Sequence, residues 1–241
     1  MTRPLPLFVL GAAAAAVLGG CAGTTTSGGG TSVTARDSAA TIASAAPQAP
    51  APDSVARRLL ASVRAADGSI RVESRYATAN NFTGAPLPGY EGGAGTALLR
   101  REAAAALARV QARLRPEGLG LLVWDGYRPV RATLAMVDWA ERTGRADLLD
   151  GYIARRSRHN MGVAVDLTLV DLASGQPLDM GTPFDTFDST AHTANATGAV
   201  AANRQRLVRA MEAEGFTNYD QEWWHFTYPV ERPVPFDLVI R

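Results

Sequence analysis

Cysteine is almost missing from this chain. Cys21 is the only cysteine among 241 residues, so no disulfide bond can form within the chain. The stability of the fold must therefore come from packing and from any metal that the protein binds. Because Cys21 lies in the N-terminal segment, a cysteine hydrolase is poorly supported, and the absence of a Gly-x-Ser-x-Gly motif argues against a serine hydrolase.

The chain also lacks an excess of charge of either sign. It has 24 basic residues, all of them arginine, against 23 acidic residues, and its formal net charge is +1. It contains no basic tract of the kind that binds a phosphate backbone. We therefore expect no nucleic-acid partner, and solvated surface charge explains most of the arginines.

The N-terminal apolar run, residues 5–18, is too short and wrongly flanked for a stable membrane span. It follows Met1-Thr2-Arg3 and leads into Leu18-Gly19-Gly20-Cys21. This order resembles a bacterial lipoprotein signal, in which the cysteine becomes the lipidated first residue of the mature chain. We expect residues 1–21 to form such a signal, Cys21 to carry a lipid anchor in the membrane, and the protein to be exported to the cell envelope. The alternatives are an ordinary signal peptide that is cleaved nearby and a cysteine that occurs by chance in a run of small residues.

The next segment, residues 22–52, is dominated by Gly, Ser, Thr, Ala and Pro. Such a composition cannot bury enough apolar surface to offset the entropy of the chain, which predicts a disordered linker. The remaining residues, 53–241, are a comfortable size for one domain. The overall composition, 46% hydrophobic and 20% charged, is that of an ordinary globular protein.

Apolar periodicity and turn residues predict a mixture of helices and strands in the domain. We expect helices over residues 53–66, 96–114, 130–142 and 203–214, strands over 71–76, 119–124, 163–169 and 223–228, and a long loop over 77–95. The strict strand-helix alternation of a parallel sheet is absent. An α+β fold, with a mainly antiparallel central sheet that is flanked by helices and carries the metal site, fits this pattern best.

Only three histidines occur in the chain, and two of them lie near acidic residues. His159 precedes Asp166, an acid within an otherwise apolar strand, and Glu222 precedes His225 at the start of another strand. A catalytic zinc ion is typically held by three His, Asp or Glu side chains, with a further carboxylate nearby to take a proton. We expect His159, Asp166 and His225 to bind Zn²⁺ and Glu222 to act as the base.

Each of these residues on its own is more often a hydrogen-bonded core residue than a ligand. Their grouping in two compact segments of a histidine-poor chain favours the metal site. The third histidine, His192, lies in a polar stretch and is expected to order that loop rather than to bind metal.

Several further segments occur together and in the order that is found in one family. They are Tyr76-Ala77-Thr78, Asn81-Phe82-Thr83-Gly84, Gly89-Tyr90-Glu91, Asp125-Gly126-Tyr127-Arg128-Pro129, Ser157-Arg158-His159, Ala164-Val165-Asp166-Leu167-Thr168-Leu169, Asp179-Met180-Gly181-Thr182-Pro183-Phe184-Asp185 and Glu222-Trp223-Trp224-His225-Phe226. With these motifs, the chain resembles the zinc D-alanyl-D-alanine dipeptidases of the VanX type, relatives of the bacterial D,D-carboxypeptidases. The resemblance runs from about Tyr76 to Tyr228.

The resemblance implies hydrolysis of D-Ala-D-Ala, with one zinc ion at His159, Asp166 and His225 and with Glu222 as general base and acid. It implies that Arg128 stabilises the oxyanion, a role that a permanently charged guanidinium suits. It also places four residues around the substrate: Tyr76, Tyr90, Ser157 and Asp185. Asp185 is the natural partner of the substrate ammonium group, while Ser157 and a tyrosine hydroxyl suit the carboxylate.

Two other functions stay open from the sequence. A D,D-carboxypeptidase or endopeptidase would act on longer cell-wall peptides, and a binding protein would keep the zinc fold without turnover. The presence of Glu222 and Arg128 favours an enzyme, and Asp185 favours the small substrate. Because an exported enzyme cannot deplete a cytoplasmic pool, we expect a role in cell-wall turnover or recovery of D-alanine.

Overall fold

Strands and helices alternate irregularly in the computed structural model, which describes residues 48–241. The strands are β1 (Leu60–Ser62), β2 (Arg71–Val72), β3 (Leu98–Arg100), β4 (Leu119–Asp125), β5 (Ala164–Asp171), β6 (Thr217–Tyr219) and β7 (Glu222–Thr227). The α-helices are α1 (Asp53–Leu59), α2 (Val63–Ala66), α3 (Arg101–Leu114), α4 (Val130–Arg142) and α5 (Gly198–Glu212). Short 3-10 helices occur at Arg75–Ala77, Arg115–Glu117, Ala146–Leu149, Arg158–Met161 and Ser189–Ala191.

Five strands form the central sheet, in the order β2-β4-β5-β7-β6. β2 pairs with β4 in parallel, and the other three pairings are antiparallel. The prediction of an α+β domain with a mainly antiparallel sheet is therefore confirmed. β4 is buried along its whole length and β5 along all but its last residue, as their continuous apolar sequences predict. An acid in either strand is consequently removed from solvent.

The domain has two hydrophobic cores, one against the central sheet and one around the helix Val130–Arg142. In the first, the alanine-rich face of α3 packs with α5 against the central strands, with Leu107 and Leu207 fully buried. In the second, α4 packs against the N-terminal and C-terminal segments, and Met136 and Phe236 are among its buried residues. Sequence periodicity predicted α4 with its observed bounds, because Pro129 precedes the helix and Gly144 follows it.

Two of the predicted helices are shorter than expected. Residues 53–66 do not form one helix, because Leu60–Ser62 leaves the helical path and pairs with Leu98–Arg100. The same pairing removes the first turn of the helix that was predicted over 96–114, so that α3 begins at Arg101. Backbone pairing between segments far apart in sequence here overrides local helical propensity.

The strand predicted over 71–76 is also shorter than expected. Only Arg71–Val72 pairs with β4, and the chain then turns into the 3-10 helix Arg75–Ala77. The amide of Ser74 donates to the carbonyl of Ala94, 2.7 Å away, which leads the chain off the sheet. This turn buries Tyr76, so the shortened strand brings a predicted substrate residue into the interior.

The N-terminal predictions fall mostly outside the described residues. The signal at 1–21, including Cys21, and residues 22–47 of the predicted linker all lie there. Within the described part, Ala51 forms a bridge to Phe236 just before the predicted start of the domain at Asp53. Across residues 48–241, none of the helices has the length and apolar character that a bilayer crossing requires.

Gln111 is a buried polar link between α3 and the sheet. Its Oε1 accepts a hydrogen bond from the amide of Leu121 (2.8 Å), and its Nε2 donates to Ser69 Oγ (3.1 Å). We expect Gln111→Met to lower the free energy of unfolding by about 1–3 kcal/mol, because a buried amide loses its acceptor. Guanidinium denaturation measures this change. Gln176→Met, at an exposed position, is the matched control, and equal stabilities of the two variants would contradict the prediction.

Candidate functional site

Asp166 and His225 face each other across two neighbouring strands. They are directly paired in the antiparallel register of β5 and β7. Side chains that are opposite each other in such a pair leave the sheet on the same face, which brings their polar atoms together. His225 Nδ1 lies 2.9 Å from Asp166 Oδ1, and the carboxylate is almost completely buried.

His159 reaches the same point from the 3-10 helix that precedes β5. Ser157 caps this helix, since its Oγ accepts a hydrogen bond from the amide of His159. Gly162 ends the helix with a φ of 68°, at a place where a Cβ atom would come within 2.6 Å of Leu60. The chain can therefore turn sharply from His159 into β5.

A backbone carbonyl sets the tautomer of His159. Its Nδ1 lies 2.7 Å from the carbonyl oxygen of Gly126, which can only accept, so Nδ1 carries the proton. The unprotonated Nε2 then faces the other two residues, 3.3 Å from Asp166 Oδ2 and 3.2 Å from His225 Nδ1. In metal-binding histidines, the ring nitrogen that does not bind the metal usually donates to a carbonyl or carboxylate, which fixes the orientation of the ring.

The three side chains fit a tetrahedral metal ion. Each offers one ligand atom, and these atoms all lie within 4.8 Å of one another. Ligands at the corners of a zinc tetrahedron are about 3.3 Å apart, close to the three distances found here. Burial lowers the pKa of His225 despite the opposing effect of Asp166, and this favours the neutral imidazole that a metal requires. The structure thus brings together all three predicted ligands in a possible metal site.

The pKa of Asp166 is lower than the ordinary value of an aspartate. Burial alone would raise it, but the charges and hydrogen bonds of His159 and His225 outweigh the cost of burial. Asp166 therefore stays ionised next to the two imidazoles. An anionic oxygen between two nitrogen donors is the arrangement that a divalent cation prefers.

Glu222 lies beside this cluster at the start of β7, as the sequence predicted. Its Oε2 is 3.8 Å from His225 Nδ1, and the residue is buried. Burial raises the pKa of Glu222 well above its usual range, and the negative charges of Asp166 and Asp185 raise it further. A carboxyl group with a raised pKa next to a metal site is suited to accept a proton and return it.

Arg128 follows the end of β4 and lies beside the cluster. Its Nε and one terminal nitrogen contact Asp125 Oδ2 at 2.9 Å and 2.8 Å. The same terminal nitrogen is 3.8 Å from Asp166 Oδ2, and the guanidinium lies over the ring of Tyr76, 4.8 Å from its centroid. The side chain is therefore fixed close to the possible metal site while it keeps its positive charge.

The backbone of Arg128 is tied to the helix that carries His159. The amide of Arg128 donates to the carbonyl of His159 (3.1 Å), and Asn160 Nδ2 donates to the carbonyl of Arg128 (2.9 Å). Asn160 also donates to Thr133 Oγ1 in α4. These bonds hold the backbone of Arg128 against the short helix that carries the imidazole of His159.

Asp185 and Tyr76 form a second polar group near the cluster. The hydroxyl of Tyr76 lies 2.9 Å and 3.1 Å from the two carboxylate oxygens of Asp185 and donates to them. Burial raises the pKa of Asp185 to about 8, and the charge of Asp166 raises it in the same direction. Asp185 has a φ of 61°, a left-handed conformation that aspartate tolerates better than most residues.

The two remaining predicted substrate residues have partners within the protein. Tyr90 is buried and donates its hydroxyl proton to Asp125 Oδ1 at 2.7 Å, so it supports the acid that holds Arg128. Ser157 is partly exposed, and its hydroxyl oxygen caps the helix that carries His159. His192 is separate from the cluster, with its Nε2 3.5 Å from the hydroxyl of Tyr152.

Sequence reasoning missed Asp125. This fully buried acid contacts Arg128 and Tyr90, and its Oδ2 lies 3.4 Å from His159 Nδ1. It ends an apolar strand in the segment Asp125-Gly126-Tyr127-Arg128-Pro129, whose arginine alone was singled out. The signal that identified Asp166, an acid within a buried strand, also applies to Asp125 and could have identified it.

The comparison with known proteins agrees with this geometry. The sequence model of the M15 peptidases, described as D-ala-D-ala dipeptidase, matches residues 59–237. A D-alanyl-D-alanine dipeptidase of Streptomyces coelicolor is 41% identical over 190 residues, which cover 71% of this chain and 93% of the relative.

Two enterococcal relatives with the same name are similar over most of their length. The Enterococcus faecalis protein is 38% identical over 182 residues, covering 69% of this chain and 89% of the relative. The Enterococcus faecium protein is 37% identical over 192 residues, covering 71% of this chain and 93% of the relative. This chain therefore belongs to the M15 peptidase family of D-alanyl-D-alanine dipeptidases.

Proposed function

We propose that this chain is a zinc-dependent dipeptidase that hydrolyses D-Ala-D-Ala to two molecules of D-alanine. The observation that carries the proposal is the convergence of His159, Asp166 and His225 beside the buried carboxyl group of Glu222. These are the parts of a hydrolytic zinc site. The D-alanyl-D-alanine dipeptidases among the relatives support the choice of substrate.

Zinc suits this set of ligands because it accepts imidazole nitrogen and carboxylate oxygen in a tetrahedron. When bound, zinc lowers the pKa of water to about 7 and polarises the carbonyl of the substrate. The contribution of the chain is to keep His159 Nε2 unprotonated, because Nδ1 donates to the carbonyl of Gly126, and to keep Asp166 ionised.

Glu222 would move the proton during hydrolysis. It lies close enough to His225 to reach a water at the metal site but is not one of the three clustered ligands. Its carboxylate takes a proton from the attacking water, and the raised pKa then helps it to hold that proton until the leaving amine accepts it. One carboxyl group can thus serve as base and then as acid.

Arg128 would stabilise the negative charge that develops on the carbonyl oxygen. Burial alone would lower its pKa, but the charge of Asp125 and of other nearby groups raises the pKa above the usual range, so the guanidinium stays charged. Asp125 fixes it from one side and the ring of Tyr76 from another. A charge that is already in position needs little reorganisation as the reaction proceeds.

The two ends of the dipeptide require different partners. Asp185 would accept the ammonium group, with the Tyr76 hydroxyl holding its carboxylate in place. Ser157 would donate its hydroxyl proton to the substrate carboxylate while its oxygen caps the helix. Tyr90 would act through Asp125, because its only proton is already donated there.

The metal ligands can be tested with the third histidine as control. We expect His159→Ala and His225→Ala to lose bound zinc and activity together, because two protein ligands no longer hold the ion firmly. His192→Ala should keep both, since it lies outside the cluster. Atomic absorption on purified protein measures the zinc, with one ion per chain expected for the unchanged protein. Full zinc content in His225→Ala would contradict the assignment.

The reaction and its base can be tested together. We expect zinc-loaded protein to release D-alanine from D-Ala-D-Ala, and Glu222→Gln to lower kcat by about 10²–10⁴-fold without loss of zinc. Glu231→Gln, at an exposed position, is the control. Cleavage of a wall pentapeptide alone would instead identify a D,D-carboxypeptidase. Zinc-loaded protein that cleaves neither peptide would identify a binding protein.

We also propose that the enzyme is exported, anchored to a membrane through a lipid on Cys21, and active in cell-wall peptide turnover. The order of charge, apolar run and Leu-Gly-Gly-Cys at residues 1–21 supports this location. In a bacterial host, the wild-type chain should incorporate labelled fatty acid and sediment with membranes. Cys21→Ser should do neither, and a labelled Cys21→Ser chain would contradict the lipid site.

A further inference from the structure

The loop from Met180 to His192 presents Asp185. Asp185 lies near its middle, and the neighbouring Phe184 packs against the rings of Tyr76, Trp124 and Trp224. Residues 177–185 also form one wall of a cavity of about 640 Å³ that Asp185 lines. The position of this carboxylate therefore depends on how firmly the loop is held.

One arginine on α5 joins the two ends of this loop. Arg204 Nε donates to the carbonyl of Met180 at 2.8 Å, where the loop begins. Its two terminal nitrogens donate to the carbonyls of His192 at 2.7 Å and Thr190 at 3.1 Å, where the loop ends. A single planar group thus closes a segment with Asp185 between its ends.

The environment of Arg204 is unusual for an arginine. The residue is 1% exposed, and among residues 48–241 no carboxylate forms an ion pair with it. Burial lowers its pKa, and Asp179 only partly opposes this effect. Burying a charge is costly, so the three carbonyl acceptors must offset much of the cost of desolvation. A lysine would offer one nitrogen in place of the three nitrogens of the planar guanidinium group.

Neighbouring contacts hold the first half of the loop. Asn203 Nδ2 on α5 donates to the carbonyl of Asp179 at 2.9 Å. Trp223 Nε1, next to Glu222 in β7, donates to Thr182 Oγ1 at 2.8 Å. The rest of the loop, from Pro183 onward, is held by Phe187, which packs against Phe82 and Tyr152, and by Asn195 Nδ2, which donates to the carbonyl of Ser189. Arg204 is bonded to both ends of the loop.

We propose that Arg204 is a positioning residue for substrate recognition. By closing the loop it holds Asp185 where the amino group of the dipeptide is bound, and so it determines the affinity for substrates with a free ammonium group. This inference rests on the proposed dipeptidase function. It adds to that function a residue that touches neither the metal ligands nor the base.

Steady-state kinetics on D-Ala-D-Ala test this role in the full-length, zinc-loaded protein. We expect Arg204→Lys to raise KM about tenfold, the effect of a weakened charge-assisted hydrogen bond, with kcat changed less than about threefold. Arg206→Lys, on the same helix and paired with Glu117 at the surface, should match the unchanged protein. A fall in kcat at constant KM would overturn the proposal.

A double-mutant cycle separates positioning from general loss of stability. If Arg204 acts through Asp185, Arg204→Lys should raise KM little further in a protein that already carries Asp185→Asn. Equal effects of Arg204→Lys with and without Asp185 would show that the arginine is only structural. Should Arg204→Lys fail to fold, Arg204→Gln, which removes the charge and keeps an amide donor, takes its place.

Hydrogen exchange gives a reading that does not depend on catalysis. We expect amides within residues 181–189 to exchange faster in Arg204→Lys than in Arg206→Lys, while β4 and β5 stay protected. Unchanged exchange in the loop would refute the proposal even if KM rose. If the unchanged protein failed to hydrolyse D-Ala-D-Ala, the proposed function would be wrong. Faster exchange in Arg204→Lys would still show that Arg204 closes the loop.

Discussion

The buried carboxylate of Asp166 is the constraint on which the rest of the site depends. It lies near the start of β5, where its strand neighbours are apolar, and it stays ionised because two imidazoles face it. An ionised acid without partners would be too costly at such a depth. The pairing of β5 with β7 brings His225 next to Asp166, and the turn at Gly162 brings His159 there. These backbone features therefore supply the partners that the buried charge of Asp166 needs.

Negative charge accumulates around this point. Asp125, Asp166, Asp185 and Glu222 lie near one another, and Arg128 is the permanent cation among them. Burial raises the pKa values of Asp185 and Glu222, and the repulsion among these acids raises them further. A divalent cation between the two imidazoles and Asp166 would also reduce the repulsion among the acids. Asp185 and Glu222 could then ionise, as ammonium binding and proton transfer require.

Local signals predicted the parts of the fold whose limits are set by nearby residues. α4 follows from Pro129 and Gly144, and β4 from its apolar run and the glycine before it. The same signals failed at Leu60–Ser62 and Leu98–Arg100, because an apolar stretch does not reveal that its partner is a distant strand. The three residues of the possible metal site were predictable because Asp166 is an acid within an apolar strand and because two of only three histidines in the chain are grouped with acidic residues. Arg204 was not, because the carbonyls that it binds come from a loop without any pattern.

Tyr76 links the two ends of the proposed substrate site through one rigid ring. The guanidinium of Arg128 lies over its face, and its hydroxyl donates to both oxygens of Asp185. The ring of Tyr76 therefore contacts both the group proposed for the oxyanion and the group proposed for the ammonium, and helps to fix their separation. In a dipeptide the amino group and the scissile carbonyl belong to the same residue and are separated by one carbon atom. With the loop closed by Arg204 behind Asp185, the proposed site would recognise the first residue of the substrate by the position of its amino group.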